Sequence, residues 1–105
     1  MRKPLVSVIM SVYNAEEFLR MAVISILNQT YKDFEFIIID DGSTDSSLSI
    51  LQSFKDTRIR LLINEQNLKL PTSLNKGIAI SKGKYIVRMD ADDISFPKRI
   101  EKQVA

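Results

Sequence analysis

The chain contains no cysteine and no histidine, and its 105 residues include only three glycines and three prolines. Without cysteine there is no disulfide framework, thiolate nucleophile or zinc–thiolate site, and nothing points to an oxidising compartment. Without histidine the commonest general base and the commonest transition-metal ligand are gone. Chemistry therefore has to run on carboxylates, hydroxyls, amides and the Lys and Arg side chains. Gly42, Gly77 and Gly83 cannot be drawn into a G-x-G-x-x-G or G-x-x-x-x-G-K-[ST] cradle, so a bound diphosphate needs another positive partner. No apolar run approaches the ~18 residues of a membrane span. The opening MRKPLVSVIMSVYNAEEF turns polar and acidic too soon for a signal peptide. A cytoplasmic location is expected, with membrane contact left to other segments of a longer parent. The formal charge is +2 and the 15 basic residues are dispersed, which argues against a nucleic-acid partner.

What is present is an alternation. With 45% hydrophobic and 27% charged residues, the composition fits one globular domain with a single core. LVSVIMSVY, FEFIIID, IRLLI and KYIVRM are short, rich in Val, Ile and Phe, and nearly continuous in apolar character, as strands covered on both faces should be. Between them, Leu19, Ala22, Val23, Ile26 and Leu27 share one helical face, and Asn14 with Glu17 resembles a capping box. Leu48, Leu51 and Phe54 mark a second helix. Leu74 and Ile78 mark a third, opened near Pro71 and closed by Gly83 at C′. A fourth helix starts near Pro97. The pattern predicts an α/β, Rossmann-like fold: a mostly parallel sheet of about four strands with helices on both faces.

In such sheets ligands bind beyond the carboxyl ends of the strands. Those ends read SVYNAEE, DDGSTDSS, NEQNLKLP and DADD, so polar and acidic side chains collect on one rim. In YIVRMDADDISFPKR three carboxylates, Asp90, Asp92 and Asp93, crowd the end of an apolar strand. They are either acidic turn residues or a site for a hard cation such as Mg²⁺, Mn²⁺ or Ca²⁺, since close carboxylates repel unless a cation sits among them. In DDGSTDSS, Asp41-Gly42 is a turn dipeptide, and Ser43, Thr44 or Asp45 can cap the next helix. That leaves Asp40 and Asp41 as acceptors for a ribose or a base. Tyr13 is either a flat surface for a base or a packed strand-end tyrosine.

SVIMSVYNAEEFLRMAVISILNQTYKDFEFIIIDDGSTD followed by NEQNLKLPTSLNKGIAISKGKYIVRMDADD resembles the nucleotide-sugar-binding half of family 2 glycosyltransferases, which have the GT-A fold. The resemblance covers essentially all of residues 1–105. It implies that Ser11, Tyr13, Asn14 and Glu16 lie near the base of a nucleotide-sugar donor and that Asp41, in the D-D-G-S element, reads that base. Asp90, Ala91 and Asp92 form the D-x-D element, extended by Asp93. In the family these acids contact the ribose and hold the Mn²⁺ or Mg²⁺ that bridges the diphosphate, and Asp92 and Asp93 are both candidates for the direct ligand. The implied activity is inverting sugar transfer from a nucleoside-diphosphate sugar, a UDP-sugar favoured, to a saccharide or lipid-linked acceptor. The family's general base lies beyond residue 105, so the expectation is a truncated donor domain with little activity alone.

One departure stands out: the family often has N-x-G-L-P where this chain has Asn67-Leu68-Lys69-Leu70-Pro71. Lysine is less comfortable than glycine if the turn needs φ > 0, unless its ammonium approaches the phosphates. Phe96, Ile100 and Val104 recur on a terminal helix, and an exposed apolar surface there leads to an expected homodimer. Rival readings are a phosphoacceptor receiver domain, a nucleotidyltransferase, and a non-catalytic nucleotide-binding or dimerising module. The first would put its acids after the first and third strands, and the second would show a glycine- and basic-rich loop where SVYNAEE stands.

Overall fold

The computed structural model describes residues 4–92 and 97–104. Asp93 and Phe96 lie outside the described residues, as does the side chain of Val104. In chain order the elements are β1 (Val6–Val12), α1 (Leu19–Leu27), β2 (Phe34–Asp41), α2 (Ser47–Gln52), β3 (Ile59–Asn64), α3 (Leu70–Ile80), β4 (Tyr85–Asp90) and α4 (Arg99–Val104). The strands form one sheet in the order β3-β2-β1-β4, and every pairing is parallel. Among the described residues no helix is long and apolar enough to cross a membrane.

Strand alternation divides the core between two faces. Val6, Val8, Met10 and Val12 of β1, with Phe34, Phe36 and Ile38 of β2, pack under Leu19, Ala22, Val23 and Ile26 of α1 and Leu51 of α2. The other face is smaller: Ile9, Ile37 and Ile39 meet Leu74 and Ile80 around α3. Burying each large aliphatic side chain stabilises the fold by about 1.5–3 kcal/mol, so β1 and β2, apolar on both sides, carry most of the stability.

The approach of α3 to the sheet differs from the expected one. Ile78 is not on its inner face but 47% exposed, and the fully covered positions are Ser73 and Gly77. A Cβ on Gly77 would sit 2.7 Å from Ile9 Cγ2 and 3.0 Å from Ile39 Cδ1. The helix lies so close to the sheet that Ser73 and Gly77 stand at the nearest approach, with Leu74 and Ile80 packing beside them. Gly83 is not the C′ residue either, because α3 ends at Ile80 and Ser81 is already extended (φ −67, ψ 141). Glycine is needed there because a Cβ would fall 2.5 Å from the Ser7 backbone nitrogen.

The expected capping box is also absent. Phe18 occupies the N-cap of α1 without a side-chain cap bond, and Asn14 reaches to another loop, as described below. At the other end of the chain, Ile100 of α4 is fully buried in the larger core cluster, and its N–H donates to Gln29 Oε1 at 3.0 Å. Ile100 is therefore not part of an exposed terminal surface.

Beneath α3 a buried carboxylate ties three segments together. Glu35 Oε2 accepts from the Ser7 hydroxyl and from the Lys82 N–H, both at 2.6 Å, while Oε1 accepts from Arg60 Nη1 at 3.0 Å. Burial alone would raise the Glu35 pKa. The Ser7, Lys82 and Arg60 donors outweigh it and hold the group below its usual value. A depressed folded-state pKa contributes stability that is complete above the unfolded carboxylate pKa and is lost as pH falls through the folded one. Glu35→Gln should therefore lower unfolding free energy near neutrality by about 1–3 kcal/mol. Urea denaturation in acid, below the carboxylate range, should find the two proteins closer together.

Candidate functional site

The four parallel strands deliver their carboxyl ends to one rim, where the loops 13–18, 42–46 and 65–69 and the turn at Ala91–Asp92 gather. The first two loops are laced together. Asn14, held at φ 48, accepts through Oδ1 from the N–H groups of Thr44 (2.7 Å) and Asp45 (3.3 Å), and its own N–H donates to Ser43 Oγ at 3.1 Å. Glu16 Oε2 accepts from the Ser46 N–H at 2.9 Å, while the Glu16 N–H donates to Asp45 Oδ2 at 3.2 Å. The Ala15 N–H donates to Ser47 Oγ at 2.9 Å, and Asp45 Oδ1 accepts from the Ser47 N–H at 2.8 Å. The backbone donors of the turns that lead into α1 and α2 are thus satisfied largely across the gap between the two loops.

Beside this clasp lies a cavity of about 410 Å³ lined by Ser11, Tyr13, Asn14, Ala15, Glu17, Phe18, Asp90, Ala91 and Asp92. Ser11 and Asp90 are direct neighbours in the β1–β4 ladder. Six of the residues singled out from the sequence therefore share one space: Ser11, Tyr13, Asn14, Asp90, Ala91 and Asp92. Glu16 and Asp41 do not line it. Sequence reasoning missed Phe18, which like Tyr13 is 47% exposed. The available signal was that Phe18 falls outside the apolar stripe of α1. Among the described residues the lining carries three carboxylates, Glu17, Asp90 and Asp92, and no Lys or Arg. An anionic diphosphate would be repelled there unless a cation came with it.

The paired aspartates of β2 part company. Asp40 turns to the α1–α2 face, where it is 1% exposed and its Oδ1 has no hydrogen-bond partner among the described residues. Asp41 turns to the α3 face, 2% exposed, and its Oδ1 accepts from Asn64 Nδ2 at 3.0 Å and from the Leu68 N–H at 2.8 Å. Burial pushes the Asp41 pKa up, but donors from Leu68, Asn64, Ser73 and Lys69 more than reverse this and hold it below its usual value. Loop 65–69 covers this carboxylate and presses on Gly42, where φ is +74 and a Cβ would meet the Gln66 carbonyl carbon at 2.5 Å.

Two carboxylates in a cavity suit a particular kind of metal site. Among the described residues no group of three or more acidic side chains gathers closely enough to cage an ion. Asp90 and Asp92 line one space without a basic partner in it. That donor set fits Mg²⁺ or Mn²⁺, which commonly take one or two carboxylates and complete their shell with water and substrate phosphates.

The parallel sheet and its acid-bearing rim define the nucleotide-binding half of a GT-A fold. The family model for glycosyl transferase family 2 matches residues 7–105, and the chain belongs to that family. An uncharacterized glycosyltransferase of Haemophilus influenzae is 50% identical over 103 residues, 96% of this chain and 32% of its own length. The crystal structure of Staphylococcus aureus TarS 1–349 in complex with UDP-GlcNAc matches with a TM-score of 0.88 at 24% identity, covering 98% of this chain and 30% of that one. The mannosyltransferase PcManGT from Pyrobaculum calidifontis, in complex with GDP-Man and Mn²⁺, matches with a TM-score of 0.88 at 22% identity, covering 99% and 32%. The chain spans about a third of the length of the curated relatives it matches.

The lysine-for-glycine departure has a visible cost. Lys69 sits at φ 76, ψ 156 as the N-cap of α3, a region essentially reserved for glycine. It is held there by its N–H bond to Asn67 Oδ1 at 2.8 Å. Lys69→Gly should raise the thermal midpoint, corresponding to about 1–3 kcal/mol of relieved strain. Lys69→Ala, which keeps a Cβ, should give no such gain in the same melts.

Proposed function

We propose that this chain binds the nucleoside-diphosphate end of an activated sugar and, within a longer cytoplasmic enzyme, serves transfer of that sugar with inversion to a saccharide or lipid-linked acceptor. The observation that carries the reading is the shared cavity: an exposed aromatic, Tyr13, and the Asp90–Asp92 pair on adjoining strand ends. Adjacent strands are about 4.8 Å apart, so the β2 end and the β4 end are about 10 Å apart across the rim. A nucleotide laid along that line would meet Asp41 and Tyr13 with its base, Ser11 and Asp90 with its ribose, and the Asp92 region with its diphosphate. Two structures that share the fold, one in complex with UDP-GlcNAc and the other with GDP-Man and Mn²⁺, support a nucleotide sugar as the ligand class.

Each residue then has a task. The Tyr13 ring offers a stacking face, and the clasp through Asn14 and Glu16 holds its loop still, so the base docks on a surface already ordered. Asp41, an acceptor when ionised, takes an N–H of the base; because loop 65–69 covers it, that loop has to shift for the base to reach it. Asp90 and Asp92, with Asp93 beyond them in sequence, would hold the divalent ion. When bound, the ion neutralises the negative charge that grows on the departing nucleoside diphosphate.

Calorimetric titration with UDP, GDP and dTDP, each with and without Mn²⁺, tests the reading. One of the three should bind in a metal-dependent way, UDP being favoured, and Asp92→Ala should weaken it at least tenfold while leaving the fold intact. Binding that ignores both the metal and Asp92 would refute the assignment.

A further inference from the structure

Asp41 sits at one end of a polar chain that runs through the smaller face of the sheet. Lys76 Nζ donates to Asn64 Oδ1 at 2.7 Å, and Asn64 Nδ2 donates to Asp41 Oδ1 at 3.0 Å and to Ser73 Oγ at 3.1 Å. Lysine can only donate, so it draws the amide oxygen of Asn64 to itself and leaves the amide NH₂ facing the carboxylate. Asn64 is 5% exposed and Ser73 fully buried, which gives this amide little room to rotate.

The two donors on Asp41 Oδ1 differ in what anchors them. Leu68 belongs to the covering loop, whereas Asn64 closes β3 and Lys76 stands in the middle of α3. When the loop gives way to a base, the Leu68 and Lys69 N–H groups leave with it, while the Asn64 amide and the Ser73 hydroxyl of α3 stay. We propose that Asn64, oriented by Lys76, is a positioning pair that holds Asp41 as an acceptor and so selects donor bases presenting a ring N–H over bases presenting a ring acceptor. This rests on the donor-site reading above and adds the basis of base choice.

The chemistry of the selection is simple. An ionised carboxylate has no hydrogen to give. Uracil and thymine present N3–H and guanine presents N1–H at the centre of the pairing edge, while cytosine and adenine present a lone pair there. A carboxylate fixed in place meets that lone pair with repulsion, and a wrongly paired buried group costs more than a correct hydrogen bond gains. A carboxylate free to swing would avoid the clash and discriminate less.

The test compares UDP with CDP, both with Mn²⁺, by titration into the wild-type chain, Lys76→Met, Lys76→Arg and Asn64→Ala. Lys76 is on the surface, so Lys76→Met should fold like wild type, checked by thermal melting. It should narrow the UDP-to-CDP affinity ratio by about 3- to 10-fold, the loss of roughly one hydrogen bond. Lys76→Arg, which restores a donor, should recover the ratio, and a folded Asn64→Ala should narrow it further. An unchanged ratio in Lys76→Met overturns the positioning role, as does an equal loss of both nucleotides, the mark of a merely structural effect. A wild-type chain that binds neither UDP, GDP nor dTDP with metal overturns the donor-site reading itself and this inference with it.

Discussion

Parallel pairing is the constraint from which the rest follows. Because β3, β2, β1 and β4 all run in one direction, every strand ends on the same edge, and every connection has to return across a face of the sheet. That one fact puts four loops side by side and leaves the opposite edge to structural work. Glu35 and Gly83 serve that opposite edge, fastening the return from α3 into β4. The acids with chemistry to offer stand at the other end.

The rim itself is built by exchange between neighbours rather than by self-contained turns. Asn14 and Glu16 hold the loop after β2, and Ser43, Asp45 and Ser47 hold the loop after β1. Asp41 does the same for the loop after β3 through Leu68. Side chains that a family resemblance assigns to ligand contact are thus, in this chain, also the braces of the backbone that carries them. The Asp90–Asp92 turn is the exception: it opens on the cavity and makes no such bond among the described residues.

Much of this was legible in the sequence, and the failures have physical causes. β1 and β2 were readable because both of their faces are buried, which writes continuous Val, Ile and Phe runs; the edge strands β3 and β4 carry similar runs but leave Ile63, Tyr85 and Ile86 about half exposed, so coverage on both faces was over-read there. α1 was readable because its inner face is made of large apolar residues. The contact face of α3 was readable only in part: Leu74 packs against the sheet as its spacing predicted, but Ser73 and Gly77 carry no hydrophobic signal, and Ile78, which does, points outward. The role of Asn14 was misread because a local cap and a bond to a loop about thirty residues away use the same oxygen. The separation of Asp40 from Asp41 follows from the two-residue period of a strand, and it divides what reads as one acidic unit. Rim residues could be nominated from their position after each strand, but only their partners distinguish the cavity-facing Asp90 and Asp92 from the bracing Glu16 and Asp41.

The exchange of bonds between the first two loops also limits how such domains can diverge. Neither loop carries its own instructions for folding, since each backbone is completed by the other's side chains. Transplanting one of them alone from a related enzyme would strand donors and acceptors on both sides of the seam. A crossover that moves residues 13–47 as a single cassette would carry both halves of each bond together.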